Sequence, residues 1–248
     1  MRVDRVGFTS VKGTRHTARD EIELDADGAV GDRLFCAVDL ERRRVLRTVQ
    51  NPSLVGVRSR WDGTHLEVTL PSGEVGAGTP AATGEHVACD YWGRSVELSV
   101  QDGPYAALFS SYLGFPVVLA EAPRAGVIYG NPVSIVTTGT LAQLGAGVDP
   151  ARFRATVVLD AGERPFLEED WLGRELQVGQ ARIRVAEPIP RCAVIDLDPD
   201  TGERDGRLLT TLARLRPNSG PEGPVCGVDA RVTVPGLVRT GDPVEVLG

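Results

Sequence analysis

Apolar residues along this chain fall in short runs separated at close intervals by glycine, proline or charged turns, a pattern that predicts many strands and few helices. Val3, Val6 and Phe8 open an extended segment that ends at Lys12-Gly13, and Glu21 to Leu24 forms a second, closed by Asp27-Gly28. Leu34 to Leu40 and Val45 to Thr48, with the charged turn Glu41 to Arg44 between them, predict a hairpin. Leu54 to Val57 and Leu66 to Leu70 predict two more strands, with Asp62-Gly63 as the turn. Tyr105, Leu108, Phe109 and Tyr112 recur at helical spacing behind Pro104, which predicts a short helix over Tyr105 to Leu113.

Pro123 and Gly126 interrupt the apolar pattern between Glu121 and Gly126, so a boundary is expected there, dividing the chain into 1–122 and 123–248. Beyond it the pattern predicts strands over Val133 to Val136, Val157 to Leu159, Gln177-Val178, Ile183 to Val185 and Val194 to Leu197. Val232 to Val234 and Val244 to Leu247 close the series, joined through Gly236 and Gly241-Asp242. A helical turn capped by Thr140 is expected to reach Leu144, and Leu208 to Leu215 is the clearest helix of this half. The expected fold class is therefore α+β and β-rich, with small barrels and a few short helices.

Composition narrows the function. With 42% apolar and 25% charged residues the chain has the balance of a packed globular protein, and its 248 residues suit two cores. A net charge of −7 argues against a general nucleic-acid binder, which needs clustered positive charge for phosphates. Lys12 is the only lysine among 27 basic residues. An ammonium is a compact point charge where arginine is a planar fork, so Lys12 is either a phosphate-site residue or a chance survivor. Met1 to Ser10 alternates polar and apolar residues and lacks the apolar core of a secretory signal. No stretch reaches the roughly 20 apolar residues of a membrane span, and four scattered cysteines without zinc-ligand spacing suit free thiols in a reducing cytoplasm.

The strongest local cluster is Pro188-Ile189-Pro190-Arg191-Cys192, followed by Asp198-Pro199-Asp200-Thr201-Gly202. Two prolines stiffen the backbone before the cysteine, and an adjacent guanidinium favours a thiolate, which suits a nucleophile or a metal ligand. A buried structural cysteine fits the same spacing. His16, His65 and His86 are scattered and read as strand or surface histidines, and Glu168-Glu169-Asp170 reads as a solvated face or helix start.

In its order of motifs the chain resembles the MOSC family, the C-terminal domain of molybdenum cofactor sulfurases, whose signature places arginine before a metal-binding cysteine and then an Asp-Pro-x-Thr-Gly turn. Arg152-Phe153-Arg154, Glu169-Asp170-Trp171, Gly173-Arg174 and the closing Gly241-Asp242-Pro243-Val244 extend the likeness. Val11-Lys12-Gly13, Gly31-Asp32-Arg33 and Asn51-Pro52 are similar to the β-barrel domain that precedes MOSC in the amidoxime-reducing subgroup. The resemblance implies an N-terminal β-barrel-like domain and a C-terminal MOSC β-barrel. It implies a molybdenum–pterin cofactor with Cys192 as metal ligand and catalytic residue, and Lys12, Arg33, Arg154, Thr156 and Arg191 as cofactor-binding residues. Asp198 is then the candidate for proton delivery, and a capping role in the Asp-Pro turn is its alternative. For each arginine the alternative is an ordinary surface ion pair.

The implied activity is reduction of N-hydroxylated small molecules, with electrons from a separate flavin, ferredoxin or cytochrome-type protein. Two other readings stay open: a cofactor or sulfur carrier without turnover, and an enzyme of specialised metabolism that kept the fold and lost molybdenum. Departures from the family pattern are Ile189 in place of a second cysteine, Ala155-Thr156 in place of Pro-Asn, Ile195-Asp196 in place of a Thr-Thr pair, and Gly13 in place of a serine.

Overall fold

The alternation of Val3, Val6 and Phe8 places all three in one core, but that core belongs mainly to the second half of the chain. In the computed structural model, which describes residues 1–217, 219–220 and 222–247, the strand Arg2–Phe8 pairs antiparallel with Val157–Asp160. Gly248, where the expected second domain ends, lies outside the described residues. An eight-stranded sheet runs in the order Val244–Val246, Glu175–Val178, Ala181–Pro190, Val225–Val234, Val133–Thr137, Val157–Asp160, Arg2–Phe8 and Thr17–Arg19. Ile22 and Leu24 reach the same core through pairing of Glu21–Asp25 with Gly236–Arg239. Arg2–Phe8 and Glu21–Asp25 thus pair with C-terminal strands, and this brings the loop holding Lys12 and His16 toward Ala151, Arg154, Val194 and Leu197.

A closed five-stranded barrel occupies the middle of the chain: Phe35–Asp39, Arg44–Val45, Ala81–Tyr91, Arg94–Asp102 and Val118–Glu121. The three α-helices among the described residues are Tyr105–Leu113, Thr138–Leu144 and Leu208–Leu215. The first and third have the bounds their spacing predicts. The second is capped by Thr137, whose hydroxyl accepts the Thr140 N–H at 3.3 Å, so Thr140 sits inside the first turn. No helix is long and apolar enough to cross a membrane among the described residues.

Two expected strands are single 3₁₀ turns. Pro52–Gly56 replaces the strand over Leu54 to Val57, because Pro52 pre-sets the first turn and the Leu54 N–H reaches Asn51 O at 3.1 Å. Ala193–Asp196 replaces the strand over Val194 to Leu197, and buries Ile195 without any strand partner. Leu54-Val55-Gly56-Val57 and Val194-Ile195-Asp196-Leu197 are too short to show a period, so their pattern does not decide between strand and turn. The hairpin Ala81–Tyr91 with Arg94–Asp102 had no sequence expectation. Its tip is Trp92-Gly93, both at positive φ (55° and 75°), the backbone a two-residue hairpin turn requires. Glu168-Glu169-Asp170 opens the 3₁₀ turn Leu167–Trp171, the helix-start alternative, but Glu168 is not on a solvated face: it is fully buried and accepts hydroxyl hydrogen bonds from Thr137 at 2.8 Å and Thr140 at 2.9 Å.

Candidate functional site

Where the N-terminal loop meets the C-terminal sheet, three cations converge. Lys12 sits just past the bridge of Val11 to Phe35, its N–H held by Phe35 O at 2.7 Å, and its ammonium lies 5.0 Å above the Tyr91 ring. Arg33 takes a left-handed backbone (φ 45°), donates its N–H to Thr9 O at 2.7 Å and pairs with the buried carboxylate of Asp32. Arg154 is also left-handed (φ 53°), ending the 3₁₀ turn Pro150–Phe153. Two non-glycine residues in this sparsely populated region, both arginines of one site, indicate backbone held in place by surrounding structure.

The electrostatics show how closely these groups crowd. Burial lowers Lys12 well below the usual ammonium range, Arg33 and Arg154 push it further down, and Asp32 opposes them. Burial likewise brings the Arg154 guanidinium down to about 9, again with Arg33 lowering and Asp32 raising it. Asp32 is the carboxylate acting most strongly on either group, so positive charge is in surplus. Burying like charges together is costly unless an anion joins them.

Buried polar atoms without a partner surround the cluster. The Tyr91 hydroxyl, 1% exposed as a residue, makes no hydrogen bond of good geometry; burial pushes its pKa up to about 12 against Arg33, Arg94 and the nearby Trp92 side chain, which keeps it a donor. Ser10 Oγ and His16 Nε2 have none either. His16 is buried behind Arg5, whose Nη2 lies 3.1 Å from Nδ1. Sequence spacing passed over Tyr91, Ser10 and His16, and offered no local signal for them, since their convergence is made by the fold.

Two of the three Arg191 nitrogens are committed to backbone carbonyls. Its Nε donates to Cys226 O at 2.6 Å and its Nη1 to Phe153 O at 2.9 Å, while the guanidinium stacks 5.3 Å from the Phe153 ring. Only Nη2 is free. The side chain therefore fixes the residue before Arg154 and the strand Val225–Val234. Gly227, at φ 77°, makes room for it: a Cβ there would stand 2.9 Å from Nη2 and 2.5 Å from Ile135 O.

Cys192 caps the 3₁₀ turn Ala193–Asp196 in extended conformation and is the exposed cysteine; Cys36, Cys89 and Cys226 are buried. Burial raises the Cys36 and Cys226 thiols to about 12, so both stay protonated. A cleft of about 340 Å³ is lined by Val49, Pro52, Ala193, Val194 and Leu197, with Glu203 and Arg204 as its charged residues. A smaller hollow of about 10 Å³ brings Arg154 and His16 together with Val194 and Leu197, which links the cation cluster to the turn that starts at Cys192. Among the described residues no three His, Cys, Asp or Glu side chains gather as a metal-holding group.

Thr156 and Asp198 have other partners. The Thr156 hydroxyl accepts the Ser134 N–H at 3.1 Å and contacts the Ser134 hydroxyl at 3.3 Å, so it joins two strands. Asp198 Oδ1 accepts from the N–H groups of Asp200 and Thr201, each at 2.8 Å, and from the Thr201 hydroxyl at 3.2 Å. Those bonds hold its pKa below the usual carboxylate value. At neutral pH it is an ionised turn-former, which matches the capping alternative.

Residues 131–245 match the family model of the MOSC domain. The matched segment holds Arg154, Thr156, Arg191, Cys192 and Asp198, while Lys12, Arg33, Tyr91 and His16 lie outside it. The chain is 40% identical over 65 residues to the molybdenum cofactor sulfurase of Drosophila willistoni, a stretch covering 26% of this chain and 8% of that protein. It is 37% identical over 65 residues to the human molybdenum cofactor sulfurase, covering 26% and 7%. The chain thus spans less than a tenth of the length of these relatives. Among solved structures, the YUAD protein from Bacillus subtilis aligns over 99% of this chain and 94% of its own, at 12% identity and a TM-score of 0.45.

Proposed function

We propose that this chain binds an anionic pterin cofactor carrying molybdenum and reduces N-hydroxylated small molecules. The observation carrying the reading is an exposed thiol at the start of a 3₁₀ turn whose far side meets a buried surplus of positive charge. Similarity to molybdenum cofactor sulfurases supports the choice of cofactor. Lys12, Arg33 and Arg154 would hold its anionic end, and Cys192 Sγ would be the protein's ligand to the metal, a soft thiolate for a sulfur-bound ion. When bound, the cofactor supplies two-electron oxygen-atom transfer.

The chain's own residues do the rest. Arg191 keeps the Phe153–Arg154 backbone in register with Cys192, and Lys12 brings a rotatable point charge where an arginine fork would have to be desolvated whole. The cleft beside Ala193 has the size of a small-molecule pocket, and its mixed lining suits a compact substrate with one polar group. The overall change, R–NHOH + 2e⁻ + 2H⁺ → R–NH₂ + H₂O, needs two electrons per turnover, for which a separate flavin, ferredoxin or cytochrome-type donor is required. No proton is assigned to Asp198, since its hydrogen bonds favour the ionised form.

A second reading, a carrier of the cofactor or of a Cys192 persulfide, is favoured by the exposure of that thiol. Molybdenum and pterin quantification on purified protein, with reduction of a simple amidoxime by reduced methyl viologen, separates the readings. Molybdenum with turnover is the expected result. Molybdenum or pterin without turnover would favour the carrier, and neither would leave a MOSC-type enzyme that has lost the metal.

A further inference from the structure

Lys12, Arg33 and Arg154 account for the charge of the candidate site but leave one donor beside it unexplained. His16 directly precedes the strand Thr17–Arg19, which pairs Thr17 with Phe8 and Ala18 with Gly7. Its ring packs on Gly7, where a Cβ would come within 3.1 Å of His16 Cε1 and 2.4 Å of Thr17 O, so the ring has one place to lie. Arg5 Nη2 sits 3.1 Å from Nδ1. A guanidinium only donates, so Nδ1 accepts, and the neutral ring must carry its hydrogen on Nε2. Burial, then Arg5, Arg154 and Arg33, hold the imidazole well below its ordinary pKa against the opposing Gly7 carbonyl, so the ring is neutral at neutral pH and the Arg5 contact sets its tautomer.

The Nε2–H group is buried and unpartnered, in a residue only 4% exposed. His16 and Arg154 line the same hollow of about 10 Å³, the space of one oxygen atom or water. A fixed neutral donor beside guanidinium groups calls for an acceptor that is oxygen and negatively charged.

We infer that His16 is a further ligand-binding residue, whose Nε2–H donates to an oxygen of the phosphate-class anion held by Lys12, Arg33 and Arg154. The inference rests on the anion-site reading above. It adds a neutral, directional contact to a cluster of charges, and this selects an oxyanion with an oxygen turned toward the 3₁₀ turn Pro150–Phe153.

The test titrates the full chain with inorganic phosphate, following the imidazole ¹⁵N–¹H signals and the affinity by calorimetry. Phosphate is expected to shift the His16 Nε2 signal and leave those of His65 and His86 unmoved. His16→Ala should weaken phosphate about tenfold, and His16→Gln, which keeps an N–H donor at similar reach, should restore most of it. Lys12→Met should lose binding while keeping the imidazole tautomer. If His16→Ala and His16→Gln both bind phosphate as the parent does while Lys12→Met does not, the anion site stands and the role of His16 is overturned. If the parent protein does not bind phosphate, the anion-site reading itself is wrong, and the inference goes with it.

Discussion

Replacing Arg191 with alanine tests whether this residue builds the site or only borders it. Its two charge-assisted hydrogen bonds to Cys226 O and Phe153 O, at 2.6 and 2.9 Å, link segments 73 residues apart in sequence through a side chain that is itself half-buried. Such bonds contribute about 1.5–3 kcal/mol each, so their joint loss is about 3–6 kcal/mol before offsets. Two effects work against this: the variant no longer buries a charge, and Nη2 has no partner to lose. A net destabilisation of about 2–4 kcal/mol is expected, a large share of the roughly 5–15 kcal/mol that holds a typical domain. Arg191→Lys should recover about half, because one ammonium reaches one carbonyl where the fork reaches both. Urea unfolding followed by circular dichroism reads the shift in midpoint, with the exposed Arg182→Ala as the surface control. If Arg191→Ala unfolds within about 0.5 kcal/mol of that control, the carbonyl contacts carry no weight and Arg191 belongs among the ligand contacts after all.

Further outcomes follow from the same geometry. In native protein one of the four cysteines should react quickly with Ellman's reagent; Cys192→Ser should remove that phase and, on the proposed function, weaken molybdenum retention while leaving the Tm of the metal-free protein unchanged, whereas Cys36→Ser and Cys89→Ser should keep the phase and the retention. Several thiols reacting at one rate would contradict the burial on which this rests. Asp198→Asn keeps the acceptor oxygen of the turn and should retain turnover; a group delivering the proton would cost about 10²–10⁴-fold in kcat when replaced. His16 gives a pH dependence: its folded pKa lies well below 6.5, so below about pH 6.5 the unfolded chain binds a proton that the native one refuses. Stability should fall as pH drops through that window, by at most about 1.4 kcal/mol per pH unit from this group, and His16→Gln should remove that component from thermal melts between pH 5 and 7. An unchanged slope in His16→Gln would mean that the imidazole is protonated in the native state.

Much of the local structure was legible from residue order. Tyr105–Leu113 and Leu208–Leu215 keep their expected bounds because helical spacing of apolar residues survives any tertiary arrangement. Asp198-Pro199-Asp200-Thr201-Gly202 forms its turn through short-range hydrogen bonds that need nothing distant. The mostly apolar segments at Leu54 and Val194 are 3₁₀ turns where strands were expected, because four residues show no period and only the presence or absence of a partner strand settles their conformation.

The sequence by itself determined a β-rich chain with a turn-flanked Arg191-Cys192 pair, and a lone lysine among arginines, since those facts reside in residue type and short spacing. Tertiary structure alone decided which arginine does what: Arg191 turns to backbone carbonyls, while Arg33 and Arg154 face Lys12. It also decided that His16 and Tyr91 stand at that cluster. The reason is physical: the strand Arg2–Phe8 crosses to pair with Val157–Asp160, so groups more than a hundred residues apart share one low-dielectric pocket. No periodicity along a single segment encodes that pairing.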